Sequence, residues 1–318
     1  MKTLWNWLPR ETDRRVRIAA WASLVSQILI IGTGGAVRLT GSGLGCPTWP
    51  RCTEDSFVTT AEMGFHGIIE FGNRLLTFVL IIIAIVMFLF VIRMRRERPE
   101  LFRLSLGLGL GIPGQAVIGG VTVLTDLNPY VVGLHYLLSA VLVGFASVLL
   151  YRVRRGPGRK DWGVPSSIRA MSAALLAVLG ISVVMGILTT GSGPHAGDAG
   201  AARNGLDSWL LQHFHAWPSY VVLGLVVTLS VLAWFARVGS PAFRRATTGA
   251  LAVTIVQILV GLYQANNGLP VFAVGVHMVL AAVLVACVTT ALLAQREPVI
   301  TAGEVDQFPR RRTVASGS

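Results

Sequence analysis

Gln115-Ala-Val-Ile-Gly119 is followed sixteen residues later by His135, and Gln257-Ile-Leu-Val-Gly261 is followed at the same interval by His277. The second set is the first displaced by 142 positions, and Gly133-Leu134-His135 falls on Gly275-Val276-His277 at that same displacement. Thr40-Gly41-Ser42-Gly43 returns as Thr190-Gly191-Ser192-Gly193, displaced by 150 because the first long loop is longer. Several matches in order along one chain mark a duplicated unit rather than coincidence. Each unit must then contain the same number of helices, and four spans per unit would return the chain to the side of the membrane where it began, giving both copies the same orientation.

Working outward, the residues between these matches are strongly apolar. Of the 318 residues, 53% are hydrophobic and only 13% charged, with a mean hydropathy of +0.66. A soluble domain carries about a quarter charged residues, so both a soluble fold and a disordered chain are excluded. Eight runs near 17–38, 65–92, 104–125, 130–151, 169–190, 209–236, 246–265 and 270–294 are long enough to cross a bilayer as helices of about 20 residues. The first is too long, and too poor in cleavage-site character, for a removed signal peptide. The expected fold is an all-α membrane protein, with eight transmembrane helices as two tandem four-helix bundles related by pseudo-two-fold symmetry. The expected boundaries are 1–151 for the first bundle, 152–295 for the second and 296–318 for a polar, poorly ordered tail.

The net charge of +12 does not point to nucleic acid, because the basic residues lie between apolar runs. Of 27 Lys and Arg residues, 23 fall on one side of the expected spans: the N-terminal segment, the second-to-third, fourth-to-fifth and sixth-to-seventh connections, and the tail. The positive-inside rule makes that side, with both termini, cytoplasmic in a multi-pass plasma-membrane protein. Two long connections, 39–64 and 191–208, then face outward.

Ionisable residues within spans are costly and therefore functional candidates. Glu70, Asn73 and Arg74 lie in the second span, His135 in the fourth, His213 and His215 in the sixth and His277 in the eighth; His66 stands at the outer entry of the second. At about 1.5 Å per residue, His135 and His277 both sit about 10 Å inside the outer surface, and His215 is at a comparable depth. The displacement of 142 carries Asn73 onto His215 and Phe71 onto His213. Since two residues turn a helix by about 200°, only one of the neighbouring histidines faces the bundle, and the repeat selects His215.

Two imidazoles at one depth on facing bundle helices suit the axial positions of a haem iron. The plainer alternative is a pair of hydrogen-bonded core histidines. No Cys or carboxylate stands ready to complete the coordination of another metal. In the first half the matching pair is Asn73 and His135, accompanied by Glu70 one helical turn from Asn73 and by His66 a further turn outward. One histidine plus a buried carboxylate suggests a tetrapyrrole held loosely enough to react. For Glu70 the alternative is a structural ion pair with Arg74. The outer loop holds Cys46-Pro-Thr-Trp-Pro-Arg-Cys52, where an oxidising compartment favours a disulfide over two free thiols. No Cys-x-x-Cys-His occurs, so covalent haem attachment is unsupported. Cys287 reads as a small packing residue.

Gly34-Gly35-Ala-Val-Arg38-Leu-Thr-Gly-Ser-Gly43-Leu-Gly-Cys46-Pro-Thr-Trp-Pro-Arg-Cys52 resembles the first helix end and outer loop of haem A synthases, and Glu70-Phe-Gly-Asn73-Arg74 looks like their Glu-x-x-His-Arg. Asn128-Pro129-Tyr130 with His135, and the pair His215 and His277, resemble their later helices across nearly all eight spans. The resemblance implies oxidation of the C8 methyl of haem O to a formyl group, through two hydroxylations and loss of water. It implies haem b on His215 and His277, and haem O as substrate in the first half with Glu70 as catalytic carboxylate. His135, Asn73 and His66 would stand around that substrate haem. Asn73 departs from the family histidine, leaving a single axial ligand from His135 or a water held by Asn73. Haem O synthase, an electron donor or acceptor, the lipid bilayer and a second copy of the chain are the implied partners, and nucleic acid is not. A b-type cytochrome that only passes electrons would carry histidine pairs in both halves. A repeat-built transporter would carry broken helices around a midplane site.

Overall fold

The computed structural model describes residues 2–156 and 160–298. Apart from α3, each long helix starts where a side chain accepts from its free N–H groups or at or just after a proline. Asp13 accepts from Arg15 and Val16 at the head of α2 (Arg14–Leu39), following the short α1 (Lys2–Trp7). Two long helices, α3 (Gly64–Val91) and α4 (Pro99–Leu124), come next. Asn128 accepts from Tyr130 ahead of α5 (Pro129–Arg154), and α6 spans Ser166–Ser192. Asp207 caps α7 (Ser208–Trp234), Ser240 caps α8 (Pro241–Asn266), and α9 (Val271–Leu293) follows Pro270.

All eight expected spans are therefore present, as α2 to α9, each long and apolar enough to cross a membrane. Large apolar side chains such as Leu29, Phe78, Ile82, Leu110 and Phe145 point outward from them, as a lipid-facing surface requires. Helices α2 to α5 pack in a ring of neighbours, and α6 to α9 do the same. The two rings meet where α2 and α5 pack on α9, and α5 on α6. Close approach depends on small residues, as is usual between helices in lipid: a methyl on Gly133 would run into Ile187, and one on Gly32 would stand 3.0 Å from Val279.

The duplication extends into the turns. Leu127 and Leu269, displaced by 142, both take left-handed backbone angles, with φ of 59° and 58°. Their N–H groups donate to Thr122 (2.8 Å) and Gln264 (2.9 Å), which are again counterparts.

Two features depart from the expected all-α chain with a loose tail. Strand β1 (Lys160–Trp162) pairs antiparallel with β2 (Arg296–Pro298), Trp162 opposite Arg296. The guanidinium groups of Arg296 (4.3 Å) and Arg169 (4.7 Å) both lie over the Trp162 ring, contacts that attract through the ring's negative face. The start of the tail is thus fastened to the α5–α6 connection; the rest of the expected tail, 299–318, lies outside the described residues. The second departure is α1, whose Trp7 packs on Phe90 at the end of α3.

Candidate functional site

His215 on α7 and His277 on α9 face each other across the second bundle, with ring centroids 6.0 Å apart and planes at 76°. His215 Nδ1 donates to the Ser182 carbonyl of α6 at 2.8 Å. A carbonyl only accepts, so the proton is on Nδ1 and the lone pair is on Nε2. Gly186 of α6 lies against this ring: a methyl there would sit 2.9 Å from Cε1. His277 rests on Gly261 of α8 in the same manner, at 3.2 Å. Its backbone carbonyl accepts from Gln257 Nε2 (3.0 Å), and its Nδ1 is buried without a partner.

The first half repeats half of this arrangement. His135 on α5 rests on Gly119 of α4, again at 3.2 Å from Cε1. Its carbonyl accepts from Gln115 Nε2 at 3.2 Å, and its Nδ1 too is buried and unpartnered. Each of these orphaned nitrogens costs about 1–3 kcal/mol unless something bound there satisfies it. Opposite His135 the pattern breaks. Asn73 of α3 accepts from Thr33 Oγ1 of α2 at 2.8 Å, where its counterpart His215 donates to α6.

Above this half lies the disulfide loop. Cys46 and Cys52 are bonded, as expected. Glu70, 5% exposed, holds the loop from below: Oε2 accepts the Cys46 N–H at 2.6 Å, while Oε1 takes Arg74 Nη2 (2.5 Å) and Nε (3.1 Å). The Arg74 guanidinium then reaches the carbonyls of Cys46, Thr48 and Arg51 at 3.0–3.1 Å. Glu70 therefore does pair with Arg74, and the pair is part of a clamp on the loop. Trp49, inside the clamped loop, lies flat against Gly120, next to the glycine beneath His135. Gly45 passes so close to the His66 carbonyl that any side chain there would collide.

The sequence profile of the COX15-CtaA family, described as a cytochrome oxidase assembly protein, matches residues 17–289. The chain belongs to the COX15-CtaA family. Among curated relatives, the haem A synthase of Geobacillus thermodenitrificans is 31% identical over 150 residues, 46% of either chain. That of Lysinibacillus sphaericus is 32% identical over 142 residues, 45% of this chain and 46% of the relative. These matches span about half the length of the relatives. The haem A synthase of Sphingopyxis alaskensis is 26% identical over 324 residues, 86% of this chain and 89% of its own.

In this COX15-CtaA protein two of the singled-out histidines stand apart. His66 is exposed and shares a hydrogen bond with Ser42 Oγ (2.9 Å). His213 donates to the Trp209 carbonyl (2.8 Å) and packs against that indole with the rings tilted by 44°, facing away from His215 as the helical period requires. Three participants escaped the sequence reading. His195, in the second long loop, donates through Nε2 to the Leu269 carbonyl at 2.9 Å. Arg38 ties α2 to the same loop. Trp49 meets α4 from a distant loop. For Arg38 a signal existed, since it is an arginine within an apolar run with no acid one turn away; the other two contacts left none.

Proposed function

We propose that this protein is a haem A synthase, an oxidoreductase that converts the C8 methyl of haem O into a formyl group. The reading rests on the relatives and on one observation: the 6.0 Å separation of the His215 and His277 rings. Two imidazole–metal bonds of about 2 Å plus two ring radii of roughly 1 Å each add up to about that distance. His215 would serve through Nε2, with Nδ1–H held by Ser182, as a hydrogen-bonded second nitrogen orients a ligating histidine. His277 would be the opposite ligand, and His135, seated on Gly119 as His277 is on Gly261, supports a haem on that side as well. Haem b on His215 and His277 would supply one-electron redox chemistry.

Haem O is then the substrate of the first bundle, residues 1–151, below the disulfide loop, and haem b belongs to the second, residues 152–295. His135 would bind the substrate iron, Asn73 would hold a water opposite, and His66 would border the entrance from the outer side. Conversion of methyl to formyl with oxygen from water releases four electrons and four protons, so an electron partner outside the chain is required. Glu70 is the catalytic carboxylate. Both its oxygens are engaged, which favours fixed negative charge facing the carbon as it becomes electron-poor over a role as mobile base. Arg74 and the Cys46 N–H hold that charge in place. Trp49 and the bridged loop cover the site from the bulk solvent. The basic end, with both termini, faces the cytoplasm of a plasma-membrane protein. Haem O synthase, which makes the substrate, is the natural partner in the bilayer, and pairing with a second copy of the chain belongs to the same proposal.

The test is turnover with haem O, with extracted haems identified by mass. Haem A is expected. A protein that keeps its haem and cycles electrons but leaves haem O unchanged would be a b-type cytochrome instead.

A further inference from the structure

Arg38 is a half-buried cation near the outer end of α2. Its Nε donates to the His195 carbonyl at 2.7 Å and its Nη2 to the Thr190 carbonyl at 3.0 Å. A guanidinium has five N–H donors, so most of them remain free. Among the described residues no carboxylate lies within 4 Å of Arg38. Arg203 grips the same loop, donating to the carbonyls of Pro194 (2.8 Å) and Ala201 (2.6 Å), and it too lacks an acidic partner. Two cations thus hold adjacent carbonyls, those of Pro194 and His195, without an anion between them.

Their position is specific. Thr190 is four residues, about 6 Å, outward along α6 from Gly186, the residue on which the His215 ring rests. His195 itself binds Leu269, at the entry to the helix that carries His277. Arg38 therefore stands at the outer margin of the space between the two facing histidines. A guanidinium at such a margin is costly in an apolar surrounding unless an anion joins it, and its planar fork matches a carboxylate.

We propose that Arg38, supported by Arg203, binds the carboxylates of the porphyrin held between His215 and His277. The inference rests on the haem reading above and adds to it that the second-half site is completed from the first half. The duplication offers no substitute, because the position matching Arg38 at the displacement of 150 is Leu188.

The test compares binding of iron protoporphyrin IX with that of its dimethyl ester by haem-depleted full-length protein, followed through the low-spin bis-imidazole spectrum. The native protein should bind the free acid at least about tenfold more tightly than the ester. Arg38→Gln should lose that preference while binding the ester as the native protein does, and Arg38→Lys should keep part of it. Equal binding of acid and ester by the native protein overturns the proposal, with no variant needed. A preference undiminished in Arg38→Gln overturns it as well, by assigning the carboxylates to another cation or to lipid-exposed surface. Binding of neither form would overturn the haem reading itself, and this inference with it.

Discussion

Tyr136 on α5 donates its phenolic O–H to the Met278 carbonyl on α9 at 3.3 Å. The two residues are counterparts in the duplication, displaced by 142, and each directly follows a site histidine, His135 and His277. The two halves thus touch at the same place in both copies, between the candidate haem sites. Met278 also rests its thioether against Gly35 of α2, so one residue joins α9 to two helices of the first half. Tyr136→Phe keeps the ring and removes one hydrogen bond, a loss of about 1 kcal/mol. A modestly lower thermal midpoint in detergent is expected, with haem content unchanged; an unaltered midpoint would show that the bond contributes nothing to the seam.

His215→Ala and His277→Ala should each abolish the low-spin spectrum of the purified protein, because each removes one of two axial ligands. His213→Ala should leave it intact, since that ring turns toward Trp209. Full low-spin haem in both of the first two variants would refute the assignment.

The glycines beneath the rings provide a milder probe. Gly186→Ala puts a methyl 2.9 Å from His215 Cε1, closer than real contacts allow, so the ring must shift. We expect weakened low-spin haem there. Gly119→Ala crowds His135 instead, at 3.2 Å, and should impair conversion of haem O while the low-spin spectrum persists. Matching losses of the low-spin signal in both variants would argue against separate sites.

The outer loop is held by a short covalent bridge and by the Glu70–Arg74 clamp. Closing so few residues stabilises the fold by about 2 kcal/mol, so Cys46→Ser should loosen the loop more than it unfolds the helices. Arg74→Ala frees the carbonyls of Cys46, Thr48 and Arg51. Proteolysis within 47–60 should become at least about tenfold faster in either variant, with the second-half spectrum unchanged. Loop cleavage no faster than in the native protein would mean that the clamp is not what orders it.

Glu70→Gln separates charge from shape. The amide can still accept from Cys46 N–H, but it cannot supply a negative charge. Accumulation of haem O or a hydroxylated intermediate is expected, with the second-half haem retained. Near-normal haem A production by a well-expressed variant would remove Glu70 from the chemistry and leave it as the clamp seen against Arg74.

Span number and the internal repeat were legible in the chain because they depend on composition and spacing along one dimension. An apolar run of about 20 residues has one stable state in lipid, and 3.6 residues per turn is enough to separate His215 from His213. The matched positions of His135 and His277 along their helices followed from counting residues after Pro129 and Pro270. Even the cysteine bridge needed only the compartment and a short separation. None of that reveals which side chains meet across helices. Glu70 was legible as a buried carboxylate, but its grip on the Cys46 N–H depends on how a 24-residue connection folds back over α3. Arg38 is joined to His195 across 157 residues, and Tyr136 to Met278 across 142. Such contacts require α2, α5 and α9 to be packed at a particular rotation, and that rotation comes from small residues such as Gly32, Gly35 and Gly133 fitting against Val279, Met278 and Ile187. Interdigitation of this kind is a property of two surfaces together, so no single stretch of sequence contains it.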